Sequence, residues 1–177
     1  SSMRPAAARL SVSKGLRMDS EIPKSISIVD PSVPKTSEER AKAAESKVVV
    51  IGLSHKTATV DVREKLAVQE DNWQAVGRAI AALPSLKEAA VISTCNRFEI
   101  YFVTSDTHKG IREVTDFLST QRGVGKRELR DSLFMLSGDE AVWHALRVSG
   151  GLDSLVIGEG QILSQMKRCY ELATSKG

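Results

Sequence analysis

The residues best suited to chemistry lie in one short stretch, STCNRFEIY, residues 93–101. Ser93 and Thr94 precede Cys95, and Asn96 and Arg97 follow it, so one of the chain's 2 cysteines sits in a polar setting. A guanidinium nearby favours thiolate over thiol, and the thiolate is the nucleophile. The competing assignment is a small hydrophobe buried at a strand end, the usual fate of a free cysteine. Position and neighbours favour the reactive assignment. Cys169 is the contrast: Met166 and Ala173 flank it at helical spacing on an apolar stripe, which assigns it to packing. Among the 3 histidines, His144 lies between Trp143 and Ala145 in a segment apolar on nearly every side. A buried imidazole there either bonds a carbonyl or moves a proton. His55, in GLSHKT, reads as a turn residue and His108 as solvated. No histidine has a second ligand at helical spacing, and the cysteines match no zinc spacing, so no metal site is expected.

A second polar group surrounds VIGEGQIL, residues 156–163. Gly158 and Gly160 follow an apolar run, but the third glycine of a dinucleotide fingerprint would fall at Leu163, which argues against a nucleotide site. Asp153, Ser154, Glu159 and Gln161 remain as a cluster that either caps a helix or lines a pocket.

These residues need a scaffold. The chain has 177 residues, 41% hydrophobic and 27% charged, within the range of ordinary globular proteins. A net charge of +3 is a mild excess, short of a dedicated nucleic-acid binder. No apolar run reaches the roughly 18–20 residues of a membrane span, so a soluble protein is expected. Residues 1–46 read as a flexible leader and linker. Arg4, Arg9, Lys14 and Arg17 come before any acid, in the manner of an organellar transit peptide, and PKSISIVDPSVPK carries three prolines. Thr36 and Glu39 have capping-box spacing for a short helix without an apolar face.

From Lys47 the pattern is that of a packed domain, 47–177. KVVVIGLSH is a buried strand, and DVREKL and QEDNWQAVGRAIAAL are helical, the second with Trp73, Val76, Ile80 and Leu83 on one stripe before Pro84. EAAVIST and RFEIYFVTS are strands joined at Cys95 and Asn96, the length of a tight hairpin. HKGIREVTDFLSTQ is a helix and SLFML a short strand. The order β-α-β-β-α-β predicts an α+β fold of ferredoxin-like type, one antiparallel sheet with two helices on one face. Helices follow: Ser137 and Glu140 have capping-box spacing ahead of DEAVWHALRVS, Gly150 and Gly151 stop it, and a last helix starts at Gln161.

GLSHKTA, STCNRFEIY and HALRVSGGLDSLVIGEGQILSQMK, in this order, closely resemble the N-terminal catalytic domain of the glutamyl-tRNA reductase family, over roughly residues 47–177. With the basic leader, the likeness is to plant plastid forms, which implies the chloroplast stroma. The resemblance implies that Cys95 is the nucleophile, attacking glutamyl-tRNA to give a thioester. In the family, NADPH reduces this thioester to glutamate-1-semialdehyde for tetrapyrrole (haem and chlorophyll) synthesis. It further implies that His144 moves a proton or polarises the carbonyl near the nucleophile, and that Thr94, Arg97, Ser154, Glu159 and Gln161 surround the glutamyl group. Arg97 suits a carboxylate and Glu159 the α-ammonium. Thr59 stands where relatives commonly have a proline after HKTA, a change expected to alter a turn rather than chemistry. By the same resemblance, an NADPH-binding domain and a dimerising helical domain follow this region in the whole protein. The fragment is then expected to acylate but not to reduce. Residues 1–46 offer a regulatory arm for protein partners. The alternative is a non-catalytic ferredoxin-like RNA-binding or regulatory interaction module, but RFEIYFV lacks the glycine-aromatic signature of base-stacking sheets.

Overall fold

Four strands form the frame in the computed structural model, which describes residues 45–175 together with Thr36. The expectations for the leader, the linker and the short helix near residue 39 fall outside these residues. β1 (Lys47–Ser54), β2 (Leu86–Ser93), β3 (Arg97–Thr104) and β4 (Phe134–Ser137) pair antiparallel in the order β2-β3-β1-β4. α1 (Val60–Leu66), a 3-10 turn (Glu70–Asn72) and α2 (Trp73–Ala81) connect β1 to β2. α3 (Thr107–Arg122) and α4 (Lys126–Ser132) connect β3 to β4, and α5 (Asp139–Ser149) and α6 (Gln161–Thr174) follow. This is the expected ferredoxin-like α+β arrangement with C-terminal helices. α4 lies in a stretch the apolar periodicity did not mark as helix.

Side chains alternate between the two faces of a strand, and β3 uses both. Phe98, Ile100 and Phe102 enter the hydrophobic core with Trp73, Ile80, Val114 and Leu118 from α2 and α3. Arg97, Glu99 and Tyr101 point to the opposite face, where α5 and α6 pack. A central strand covered on both faces reads as a continuous apolar run, and β1 is buried from Val49 to Ser54. Gly52 lies opposite Glu99 in the β1–β3 ladder. A Cβ there would lie 2.5 Å from the Phe98 carbonyl and 2.8 Å from Glu99 Cγ, so only glycine leaves Glu99 room to cross the strand.

One local expectation is corrected. Ser137 does not cap α5: it is the last residue of β4, paired with Val49, and the helix begins one residue later from Gly138 at φ 59° with no side-chain cap. The stop after α5 is shared, with Gly150 at φ −78° and Gly151 taking the left-handed φ of 70°. Thr59 precedes α1 at φ −66°, a value proline also adopts.

Candidate active site

The β2–β3 hairpin closes through the Thr94 amide donating to the Arg97 carbonyl at 2.8 Å, leaving Cys95 and Asn96 at the tip. Tight hairpins usually need glycine or asparagine-glycine. Here the Thr94 hydroxyl oxygen accepts from the backbone N–H of Asn96 and of Arg97, each at 3.3 Å, and fixes the turn instead. The tip is also held from outside. The His55 amide donates to the Asn96 carbonyl at 3.0 Å, and Arg63 Nη1 of α1 donates to the Cys95 carbonyl at 2.7 Å. Cys95 itself is exposed. The cation bonded to the cysteine residue is therefore Arg63, whereas the Arg97 side chain turns inward.

Beneath the hairpin, a buried polar cluster centres on Glu99, which is fully buried. Arg97, 2% exposed, donates from Nη1 to Glu99 Oε1 at 2.5 Å. Tyr101 donates its hydroxyl to Glu99 Oε2 at 2.6 Å, and His144 Nε2 lies 3.1 Å from Oε1. Burial opposes ionisation of Glu99, but the His144 hydrogen bond, the Arg97 charge and the Tyr101 hydroxyl outweigh it and hold the carboxyl below its usual range. An ionised carboxylate only accepts, so the proton of the His144–Glu99 bond belongs to Nε2. The Phe134 ring packs 5.0 Å from the imidazole, centroid to centroid. Burial first, and then the charge of Glu99, push the Tyr101 hydroxyl upward, so it stays a donor.

The loop between α5 and α6 joins this cluster through Asp153. Arg97 Nη2 donates to the Asp153 carbonyl at 2.9 Å and to Oδ2 at 3.2 Å, while Lys56 Nζ donates to Oδ1 at 2.5 Å. Partial burial raises the Asp153 carboxyl, but Lys56 and Arg97 more than reverse this and hold it below the usual range. Lys56, Arg97 and Asp153 come from the three separate motifs, which meet at this point.

Thr94, Cys95 and Arg97 sit together on the hairpin, and His144 joins Arg97 through their shared partner Glu99. Ser154 follows Asp153 directly. Glu159 is half-buried and Gln161, at the start of α6, is exposed; neither side chain bonds the cluster. Glu99, Tyr101, Lys56 and Arg63 escaped the sequence reading. An acid among apolar residues on a central strand was the available signal for Glu99. Cys169 is buried on α6, as expected, and burial together with the Glu99 charge pushes its thiol up to about 12.

Among the described residues no group of three or more His, Cys, Asp or Glu is arranged to hold a metal ion, and no helix is long and apolar enough to cross a membrane. The segment before Gly158 is a run of turns and bends rather than a strand. These residues do not fit a dinucleotide cofactor.

Residues 51–177 match the family described as Glutamyl-tRNAGlu reductase, N-terminal domain. The chain belongs to the glutamyl-tRNA reductase family. It is 56% identical over 125 residues to the glutamyl-tRNA reductase of Cyanothece sp., covering 71% of this chain and 29% of that protein. The chloroplastic glutamyl-tRNA reductase 1 of Hordeum vulgare is 48% identical over 143 residues, covering 81% of this chain and 27% of the relative. Among solved structures, the glutamyl-tRNA reductase of Methanopyrus kandleri superposes with a TM-score of 0.52 at 28% identity, over 71% of this chain and 28% of that one. The chain thus spans under a third of the length of these glutamyl-tRNA reductases and corresponds to their N-terminal domain.

Proposed function

We propose that this domain performs the acyl-transfer half of an NADPH-dependent glutamyl-tRNA reductase reaction. Cys95 Sγ attacks the carbonyl carbon of the glutamyl ester. A C–S bond forms, the C–O bond to the terminal ribose breaks, and the ribose oxygen takes the proton that frees the tRNA. His144, with Nε2 committed to Glu99, is the proton carrier of this step. Arg97 receives the side-chain carboxylate and Glu159 the α-ammonium. The Thr94 hydroxyl, which accepts two backbone N–H bonds, keeps its own proton to donate to the substrate beside Ser154 and Gln161.

The reading is carried by one observation: an exposed thiol on a hairpin tip whose two backbone carbonyls are held by Arg63 and His55, directly above the buried Glu99 cluster. The test is intact-mass measurement after mixing with glutamyl-tRNA. A covalent glutamyl adduct that disappears in Cys95→Ser supports it, and an adduct that persists removes it.

NADPH is bound outside residues 45–175 in this reading, so no reduction step is drawn from them. For the whole protein we infer glutamate-1-semialdehyde as product, a place in tetrapyrrole synthesis, a homodimer, and the chloroplast stroma as location. The chloroplastic relatives of Hordeum vulgare and Oryza sativa and the basic leader support that location. Residues 1–46 are a targeting leader and regulatory arm for protein partners. Fusing them to a fluorescent reporter tests the address: diffuse cytosolic signal would overturn it.

A further inference from the structure

Both terminal nitrogens of Arg97 are already engaged while the cluster is closed. Nη1 is committed to Glu99, which is fully buried and cannot be displaced by solute. Nη2 is shared between the carbonyl and the carboxylate of Asp153. Bidentate capture of a carboxylate needs two parallel N–H donors. Of the two acids bonded to Arg97, Asp153 is the accessible one, its side chain 22% exposed against 0% for Glu99. Charge gives the same result. Lys56 and Arg97 balance Glu99 and Asp153, so a further carboxylate added to the closed cluster would face two anions already sharing two cations.

We propose that Asp153 is an internal stand-in for the substrate's side-chain carboxylate, occupying Arg97 until the substrate displaces it, and that Lys56 holds the displaced aspartate. The displacement is geometrically inexpensive. Asp153 lies in a loop bounded by Gly150 and Gly151 at one end and by Gly158 and Gly160 at the other. The Gly158 amide donating to the Gly151 carbonyl at 3.1 Å closes that loop on itself, so the Asp153 side chain can turn toward Lys56 while the backbone keeps its place. The Arg97 bond to the Asp153 carbonyl does not depend on the carboxylate, so neutralising the side chain frees one N–H without releasing the guanidinium. Asp153 is then a specificity-determining residue. A substrate lacking the side-chain carboxylate has nothing to offer Arg97 in exchange and leaves the latch shut.

The proposal rests on Arg97 as the receptor of the side-chain carboxylate, and the experiment separates the two. The rate of Cys95 acylation is measured by mass spectrometry against the concentration of glutamyl-tRNA, and of the same tRNA charged with glutamine, which replaces the carboxylate by an amide. A competing internal group lowers apparent affinity by the fraction of molecules left open. Asp153→Asn should therefore reduce the half-saturating concentration of glutamyl-tRNA by about 5-fold. Lys56→Met, which leaves Asp153 to Arg97 alone, should raise it about 2- to 3-fold. Half-saturation by glutaminyl-tRNA should move in neither variant. Lys56 is exposed and the Arg97 bond to the Asp153 carbonyl does not need the carboxylate, so both variants should remain folded, as circular dichroism checks. Opposite shifts are the signature of competition. Shifts in the same direction, or none, would overturn the latch and leave Asp153 a structural residue of the loop. Arg97→Lys is the control: if the distinction between the glutamyl and glutaminyl esters survives it, the reading of Arg97 fails, whatever the other two variants do.

Discussion

The two cysteines have opposite fates: Cys169 lies buried within reach of the Glu99 charge, and Cys95 lies exposed on the hairpin whose Arg97 bonds that carboxylate. Cys95 stands on a hairpin tip, in water, with its backbone clamped by Arg63 and its neighbour Arg97 anchored to Glu99. Cys169 lies on the packed stripe of α6, close enough to Glu99 for that charge to raise its thiol. Proximity to an anion in a dry interior makes a thiol inert, whereas exposure on a tip leaves a sulfur within reach of a substrate. Reactivity here is a property of the surroundings of each sulfur and not of the residue.

The sharpest way to break the comparison is chemical. Cys95→Ser should abolish the glutamyl adduct, a loss of all signal by mass, while Cys169→Ser retains it. Iodoacetamide near neutral pH should likewise label Cys95 alone, and label Cys169 only after denaturation. Equal labelling of both in the folded protein would remove the distinction.

Next in size are changes to the carboxylate that both regions share. Glu99→Ala leaves Arg97 without its buried partner, and removing one member of a buried pair costs about 3–5 kcal/mol, read as a fall in the melting temperature. Gly52→Ala attacks the same residue from β1: its Cβ would sit 2.8 Å from Glu99 Cγ and closer still to a backbone oxygen. Overpacking of this kind costs about 1–3 kcal/mol or more, and thermal denaturation of the variant checks it. An unchanged melting temperature would mean that Glu99 has another path across the strand.

The pH dependence sharpens the picture. Glu99 and Asp153 both have carboxyls held below their ordinary values, 4.5 and 3.8 respectively. A group whose value falls on folding contributes stability that is present above its unfolded value and is lost as pH drops through the folded one. Stability should therefore decline progressively below about pH 4.5, followed by circular dichroism during acid titration, and Asp153→Asn should make that decline shallower. The smallest effect belongs to the packed thiol. Cys169→Ala removes a buried sulfur and should cost about 1–2 kcal/mol without changing acylation.

Much of the scaffold was legible in local pattern. The valine-rich run of β1, the alternation in β2 and β3, and the stripe of Trp73, Val76, Ile80 and Leu83 each declare their element, because burial of one face imposes a period on the chain. α4 did not, since KRELRDS buries only Leu129 and a single buried position has no period. Ser137 had the spacing of a cap but was claimed by the ladder with Val49. A strand bond won over a local signal.

The site divides in the same way. That Cys95 sits in a tight turn with Arg97 beside it was determined by the sequence itself, because chain connectivity keeps residues that close together wherever the hairpin goes. The convergence of Lys56, Arg63, Glu99, His144 and Asp153 was decided by tertiary structure alone. Those residues lie in separate elements, and only the antiparallel register, with Gly52 facing Glu99 and α5 laid across that face, brings His144 to Glu99, Lys56 to Asp153 and Arg63 to the Cys95 carbonyl. Arg97 shows both levels at once. Its position beside the thiol is local, but the direction of its guanidinium, inward to Glu99 and Asp153, follows from strand alternation and from the low cost of a buried charge once an opposite charge meets it.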